Sequence, residues 1–242
     1  MTKTPVNLQE LRRRIYRKAK AEPTHRFWGL FTHITKMTTL QEANQLAKKN
    51  GGAPGIDGKS FADVEREGVN PFPENIQAEL QAGTYRPQAN RKVEIPKANG
   101  KLRMLQIPSI RDRVVQGELK LILEAIFEAD FCPNSYGFRP KRSPHQALAE
   151  VRRSVLRRMT MVIDVDLSRY FDTIRHVILL DKIAKRIQDA QIMQLVKQVI
   201  KAAGKSAYRK AGRSRRWPPT STLMIWIGHL TQYGGKRGRR RI

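Results

Sequence analysis

The stretch that most limits what this chain can become is residues 161–174, MVIDVDLSRYFDTI, an apolar run that carries two carboxylates and then turns over into Arg169, Tyr170 and Phe171. Alternation along the run sets Ile163, Val165 and Leu167 on one sheet face and Asp164 with Asp166 on the other. Two acids on one face repel each other unless positive charge lies between them, and the matching occupant is a hard divalent cation such as Mg2+. The plainer alternative is a solvated strand end that happens to bear two acids. The choice between the two rests on the rest of the chain.

Charge is the next constraint. The 242 residues hold 47 Lys plus Arg against 21 Asp plus Glu, a formal net charge of +26, and the excess is spread along most of the chain. A folded domain with this field collects polyanions, nucleic acid first among them. A basic protein of membrane surfaces is the competing class; no apolar run reaches spanning length and no signal-peptide arrangement opens the chain, so no membrane partner is expected. A single cysteine, Cys132, excludes an internal disulfide and a cysteine metal cluster, which fits a reducing cytoplasm. His25, His33, His145, His176 and His229 lack ligand spacing, so zinc is not expected.

In chain order, residues 8–21 read as a basic helix with Leu11 and Ile15 apolar, either a solvated face or a phosphate-contacting one. Phe27, Trp28, Leu30, Phe31 and Ile34 begin a segment expected to pack, and a helix over 39–49 leads into GGAPGIDG at 51–58. That many glycines require backbone freedom or a close approach, and the loop lacks the Lys-Ser/Thr ending of a nucleotide P-loop. A short helix over 75–82 precedes a predicted β-hairpin, with arms at 92–96 and 101–107 and a turn at 97–100. Arg91, Lys92, Lys97, Lys101 and Arg103 surround it against one acid, Glu94. Such cations suit a triphosphate, and lysines equally protect an edge hairpin from aggregation.

Ser109 as N-cap, with Asp112 three residues on, opens a core helix over 109–127. The loop FCPNSYGFRPKRSP at 131–144 interleaves Tyr136 and Phe138 with Arg139, Lys141 and Arg142; the aromatics either stack on bases or pin the loop to the core. Ser143 and Pro144 start a helix to about 158, residues 175–187 read as another, and Asp189 caps a third carrying Ile192, Leu195, Val196, Val199 and Ile200. Residues 190–242 hold 13 Lys plus Arg and no Asp or Glu, ending in the basic tail KRGRRRI, either a nucleic-acid binder or non-native sequence.

Taken together, GGAPGIDG, VEIPKANGKLRMLQIPSIRDRVVQ, NSYGFRPKRSPHQAL and VIDVDLSRYFDTI resemble, in order and spacing, the N-terminal half of a group II intron-type reverse transcriptase over about residues 46–204. The resemblance implies an α+β right-hand polymerase: a basic helical segment at 1–45, fingers at 46–158, a partial palm at 159–204 and a non-homologous tail at 205–242. It implies that Asp166 is a catalytic metal ligand, that the Leu167 carbonyl sits at the second Mg2+, and that Phe171 rejects a 2′-hydroxyl. By the same resemblance Lys97 and Arg103 hold the triphosphate, while Arg91, Lys92, Lys101, Arg139, Lys141 and Arg142 contact nucleic acid. Asp164 becomes a supporting residue and Asp172 a local structural one. The implied partners are an RNA template, expected to be intron RNA held mainly through its backbone, a DNA primer and deoxynucleoside triphosphates.

The chain departs from that pattern in having no Pro-Gln-Gly loop, no adjacent pair of aspartates after Asp189, and no thumb, maturase or endonuclease region. Three expectations follow: a frameshift near Gly204, no polymerase activity from this chain alone, and, as the alternative, a non-catalytic RNA-binding remnant. A palm sheet lacking its central hairpin also raises the expectation of exposed strand edges.

Overall fold

The computed structural model describes residues 8–66, 71–96, 102–164 and 175–202. In chain order the elements are α1 (Leu8–Ala21), α2 (Phe31–Ile34), α3 (Met37–Asn50), α4 (Phe61–Arg66), α5 (Pro71–Gln81), the strands β1 (Arg91–Pro96) and β2 (Leu102–Ile107), then α6 (Ile110–Phe127), α7 (Pro144–Leu156), α8 (His176–Ala184) and α9 (Ala190–Ala202). Helices with one small sheet make the described residues a mixed α and β body.

α6 is its axis. Apolar residues fall on every side of it, which is the pattern of a helix surrounded by protein, and Val114, Leu119, Ile122 and Ile126 are fully buried. α1, α2, α3 and α9 pack around it, and one apolar core runs from Ile15 of α1 to Ile200 of α9. Gly117 lets α3 come close: a Cβ there would lie 3.2 Å from the Ala43 side chain.

Two polar devices tie the ends of this body together. Arg186 is buried and donates to the carbonyls of Ala19, Glu22, Pro23 and His25, so it satisfies acceptors that the C-terminus of α1 leaves open. Its neighbours pair with Phe27: the Phe27 N–H donates to Arg186 O at 2.8 Å and the Gln188 N–H to Phe27 O at 2.7 Å. Asp189 caps α9 by accepting from the Ile192 N–H at 3.2 Å, and its other oxygen accepts from the Phe31 N–H at 3.0 Å. The predicted cap is therefore present, and it also holds α2.

β1 and β2 pair antiparallel, with Arg91 opposite Ile107 and Pro96 opposite Leu102. Residues directly opposite share a face, so Arg91, Val93 and Ile95 lie on one side with Leu105 and Ile107, and Lys92 and Glu94 lie on the other with Gln106 and Met104. The predicted arms are thus found, although Lys97 and Lys101 lie outside the described residues.

Residues 161–164 differ from the expectation of a strand. Met161, Val162 and Ile163 are 92%, 84% and 87% exposed and, among the described residues, pair with nothing in a sheet. The reason is physical: an alternating apolar run has little strand preference of its own and takes its conformation from a partner ladder and a face to bury. α7 shares this exposure. Ser143 and Pro144 start it as the sequence indicated, a capping box between Ser143 and Gln146 adds to that start, and yet Leu148, Val151 and Val155 remain exposed.

Candidate nucleotide and nucleic-acid interface

The geometry that concerns function is built at the N-terminus of α6. Ser109 accepts from the Asp112 N–H at 3.2 Å, which fixes the first turn. Asp112 then turns its carboxylate away from the helix: Oδ1 accepts from the Tyr85 hydroxyl at 2.6 Å and Oδ2 from the Gln88 N–H at 3.0 Å. Burial pushes the Asp112 carboxyl above its usual range, while the hydrogen bonds from Tyr85, Ser109 and Gln88 work in the opposite direction. The Tyr85 hydroxyl is raised far beyond its ordinary value by burial and by the nearby acid, so it stays a donor.

Arg113, fully buried, faces the other way. Its Nε donates to Pro108 O at 3.1 Å, Nη1 lies 3.5 Å from Gly51 O, and Nη2 donates to Ala53 O. Burial opposes its charge, and Asp57 in the same glycine-rich loop offsets that. The loop comes so close that a Cβ on Gly55 would sit 2.4 Å from the Ser109 Cα. Close approach is thus the reason for glycine at this position. Arg111, next in line, pairs with Glu79 and lies 5.0 Å over the Tyr85 ring.

Of the cations assigned from sequence, Arg91 is half-buried at the hairpin's root and Lys92 is exposed on the opposite face. The backbone of Arg103 pairs opposite Ile95, which places it toward the far end of the ribbon. Asp166, Leu167 and Phe171, like Asp172, lie outside the described residues, and Asp164 is exposed at the edge of them. Among the described residues no three His, Cys, Asp or Glu gather as a metal site. A carboxylate and a backbone carbonyl are nonetheless the oxygen donors that suit Mg2+.

The loop after α6 resolves the question posed by its aromatics in an unexpected way. Arg139 holds it: Nε and Nη2 form a forked pair with Glu128, with 2.7 Å at the shortest, and Nη1 donates to Cys132 O and Ser135 O. The guanidinium also lies 5.2 Å over the Phe131 ring. With its donors turned inward, Arg139 serves the loop's shape, and the surface cations here are Lys141 and Arg142, the latter 5.5 Å over Tyr136. Phe138 is 47% exposed and sits at a φ of 56°, a conformation that non-glycine residues adopt only when their surroundings hold them there.

Asp112 and Arg113 are the residues that sequence reasoning passed over. The signal was available in SIRDRVVQ, where charged side chains stand among the apolar positions of a core helix and therefore need partners inside the fold.

Residues 95–218 match the sequence model of the family described as Reverse transcriptase (RNA-dependent DNA polymerase), a match that continues past Gly204. The chain is 38% identical over 201 residues to Protein YkfC of Escherichia coli, covering 81% of this chain and 52% of that protein. It is 33% identical over 178 residues to the group II intron-encoded protein LtrA of Lactococcus lactis, covering 73% of this chain and 29% of that one. A putative COX1/OXI3 intron 2 protein of Saccharomyces cerevisiae is 28% identical over 160 residues, covering 66% of this chain and 18% of its own length. The chain thus spans about half the length of the first of these relatives and under a third of the other two.

Proposed function

Because the chain belongs to the reverse transcriptase family, in its group II intron type, we propose that it carries the nucleotide-gripping part of an RNA-directed DNA polymerase. The observation that supports this most is the hairpin: a cation-rich ribbon whose roots are fixed by buried charged residues, and whose second strand and the helix behind it lie within the matched region. In the proposed reaction a primer 3′-oxygen bonds to the α-phosphorus of a deoxynucleoside triphosphate as the α–β bridging bond breaks and pyrophosphate leaves. Lys97 and Arg103 neutralise the β- and γ-phosphates, Lys as a point charge and Arg as a planar fork. Phe171 lies under the sugar and excludes a 2′-hydroxyl. Mg2+, held by the Asp166 carboxylate and the Leu167 carbonyl, would supply positive charge to the attacking and leaving oxygens. Arg91, Lys92, Lys101, Lys141 and Arg142 follow the phosphates of an RNA template and DNA primer.

The 242 residues contain no carboxylate after Asp189. One assigned metal-binding carboxylate leaves most of the transition-state charge uncompensated, so this chain alone is proposed to bind substrates without extending a primer. The test uses the purified chain with a primed RNA template, Mg2+ and a fluorescent deoxynucleoside triphosphate. Nucleotide binding that weakens in Lys97→Ala and Arg103→Ala supports the reading. Absence of nucleotide binding at millimolar concentrations refutes it, and extension above an Asp166→Ala control refutes the inactivity.

A further inference from the structure

We infer that Asp112 and Arg113 are a pair of positioning residues that together set the aim of the β1–β2 hairpin. The inference rests on the proposed nucleotide-gripping role for its consequence, and on geometry alone for its mechanism. Among the described residues the ribbon has no third strand beside it to orient it, and an isolated hairpin is marginal in water. Its direction is therefore decided where its two ends enter the body. On the incoming side the chain is held by Asp112, through the Tyr85 hydroxyl and the Gln88 N–H. On the outgoing side it is held by Arg113, through Pro108 O. Two consecutive residues of one helical turn thus grip both feet of the ribbon, each from inside the core, where Asp112 is 1% and Arg113 0% exposed.

The grip is also referenced to a third segment. Arg113 reaches the carbonyls of Gly51 and Ala53, and the approach of Gly55 to Ser109 leaves no room for a side chain. A shift of the chain where β2 enters α6 would strain the Arg113 bond to Pro108 O, and it is confined by Gly55, where a Cβ would lie 2.9 Å from the Pro108 carbonyl carbon and 2.4 Å from the Ser109 Cα. Loop, helix N-terminus and hairpin feet behave as one socket. Neither residue is among the cations proposed to hold the phosphates; both act through the ribbon that carries Lys97 and Arg103. Charge is suited to this task because a carboxylate and a guanidinium accept or donate several directional bonds at once, and a buried charge that loses them is heavily penalised. Apolar residues at these positions would fill the space without specifying the ribbon's angle.

The experiment compares the wild-type chain with Asp112→Asn, Tyr85→Phe, Arg113→Lys and Arg113→Met. Two readouts are taken: hydrogen exchange of the amides in 91–96 and 102–107 relative to those of α6, and affinity for Mg2+-bound fluorescent deoxythymidine triphosphate. Asp112→Asn removes one acceptor while keeping shape, and Tyr85→Phe removes one donor, so both variants test the incoming foot even if Arg113→Met does not fold. The socket predicts faster exchange confined to the hairpin with α6 still protected, and a loss of nucleotide affinity of roughly tenfold to a hundredfold, as expected when a binding group is misplaced by about an ångström. Arg113→Lys, which keeps charge but not the fork, should recover only part of both. Hairpin protection unchanged in Asp112→Asn and Tyr85→Phe overturns the inference. If the wild-type chain binds no nucleotide, the proposed function fails, and the exchange pattern still decides whether the socket exists.

Discussion

Glu118 offers the most exacting test of how this fold is held together. It lies on α6, wholly buried, and neither carboxylate oxygen has a hydrogen-bond partner among the described residues. Burial alone pushes its pKa well above the ordinary 4.5, with no cation contributing, and the Tyr85 hydroxyl is a titratable group that feels its charge. The folded state therefore binds a proton at pH values where the unfolded chain has released it. For an acid raised in this way the sign is unusual: the native state is least penalised below about pH 4.5, and stability falls as pH rises toward the folded pKa. The slope is at most about 1.4 kcal/mol per pH unit wherever the folded state keeps a proton that the unfolded chain has released, so Glu118 withdraws stability progressively as pH rises above about 4.5. A domain of this size has only about 5–15 kcal/mol in total, so such a slope is felt.

Replacing Glu118 with Met fills a similar volume without the charge and is expected to raise stability at neutral pH by about 1–4 kcal/mol. Glu118→Gln keeps the shape and removes titration, although its amide still lacks partners, so it should gain less. Urea unfolding followed by circular dichroism at about pH 5 and about pH 7 measures the result. Only the difference between variant and wild type is read, because other groups, Asp112 among them, add slopes of their own. The gap between Glu118→Met and wild type should widen with pH. A gap that is the same at both pH values would falsify the reasoning, since it would mean that Glu118 ionises in the native state as freely as in the unfolded one.

Other consequences are more local. Arg139→Met should strand Glu128 and release the loop after α6, costing about 3 kcal/mol or more and exposing residues 131–143 to limited proteolysis. Gly55→Ala forces a Cβ against the Ser109 backbone and should cost at least about 1–3 kcal/mol, read as a lower urea midpoint. Binding to a primed RNA should weaken about a thousandfold or more between about 50 and about 200 mM salt if phosphate contacts dominate; a titration with little salt dependence would remove the cationic surface from the reading.

What the sequence made legible depended on how local the cause was. Leu8–Ala21 is helical over the predicted span, and the caps at Ser109, Ser143 and Asp189 all form, because a cap is settled within four residues. The hairpin was equally legible from its turn and alternation. Arg139 was not: its forked pair with Glu128 depends on a loop folding back by eleven positions, and an arginine between aromatics looks the same from sequence whether it faces RNA or the core. Asp112 was read only as part of the opening of a helix and Arg113 was not singled out, since their partners at Gln88 and Ala53 are brought near by tertiary packing.

The two parts of the candidate site therefore stand on different footings. The hairpin's roots are secured by buried hydrogen bonds to α6, a helix that is itself surrounded by core. The approach to Asp166 has the opposite character: Met161, Val162 and Ile163 are solvated, and Val177, on the far side of the carboxylate stretch in sequence, is 75% exposed. Backbone and apolar side chains left in water contribute little to holding a carboxylate in place, whereas a metal ligand must be fixed to within a fraction of an ångström to act. The proposed nucleotide grip and the proposed metal ligation should consequently respond differently to mild denaturant. Fluorescent triphosphate binding is expected to persist up to the main urea transition, while hydrogen exchange at 161–164 should already be complete in its absence. Protection of those amides equal to that of α6 would show that the carboxylate stretch is secured by something other than the packing described for it.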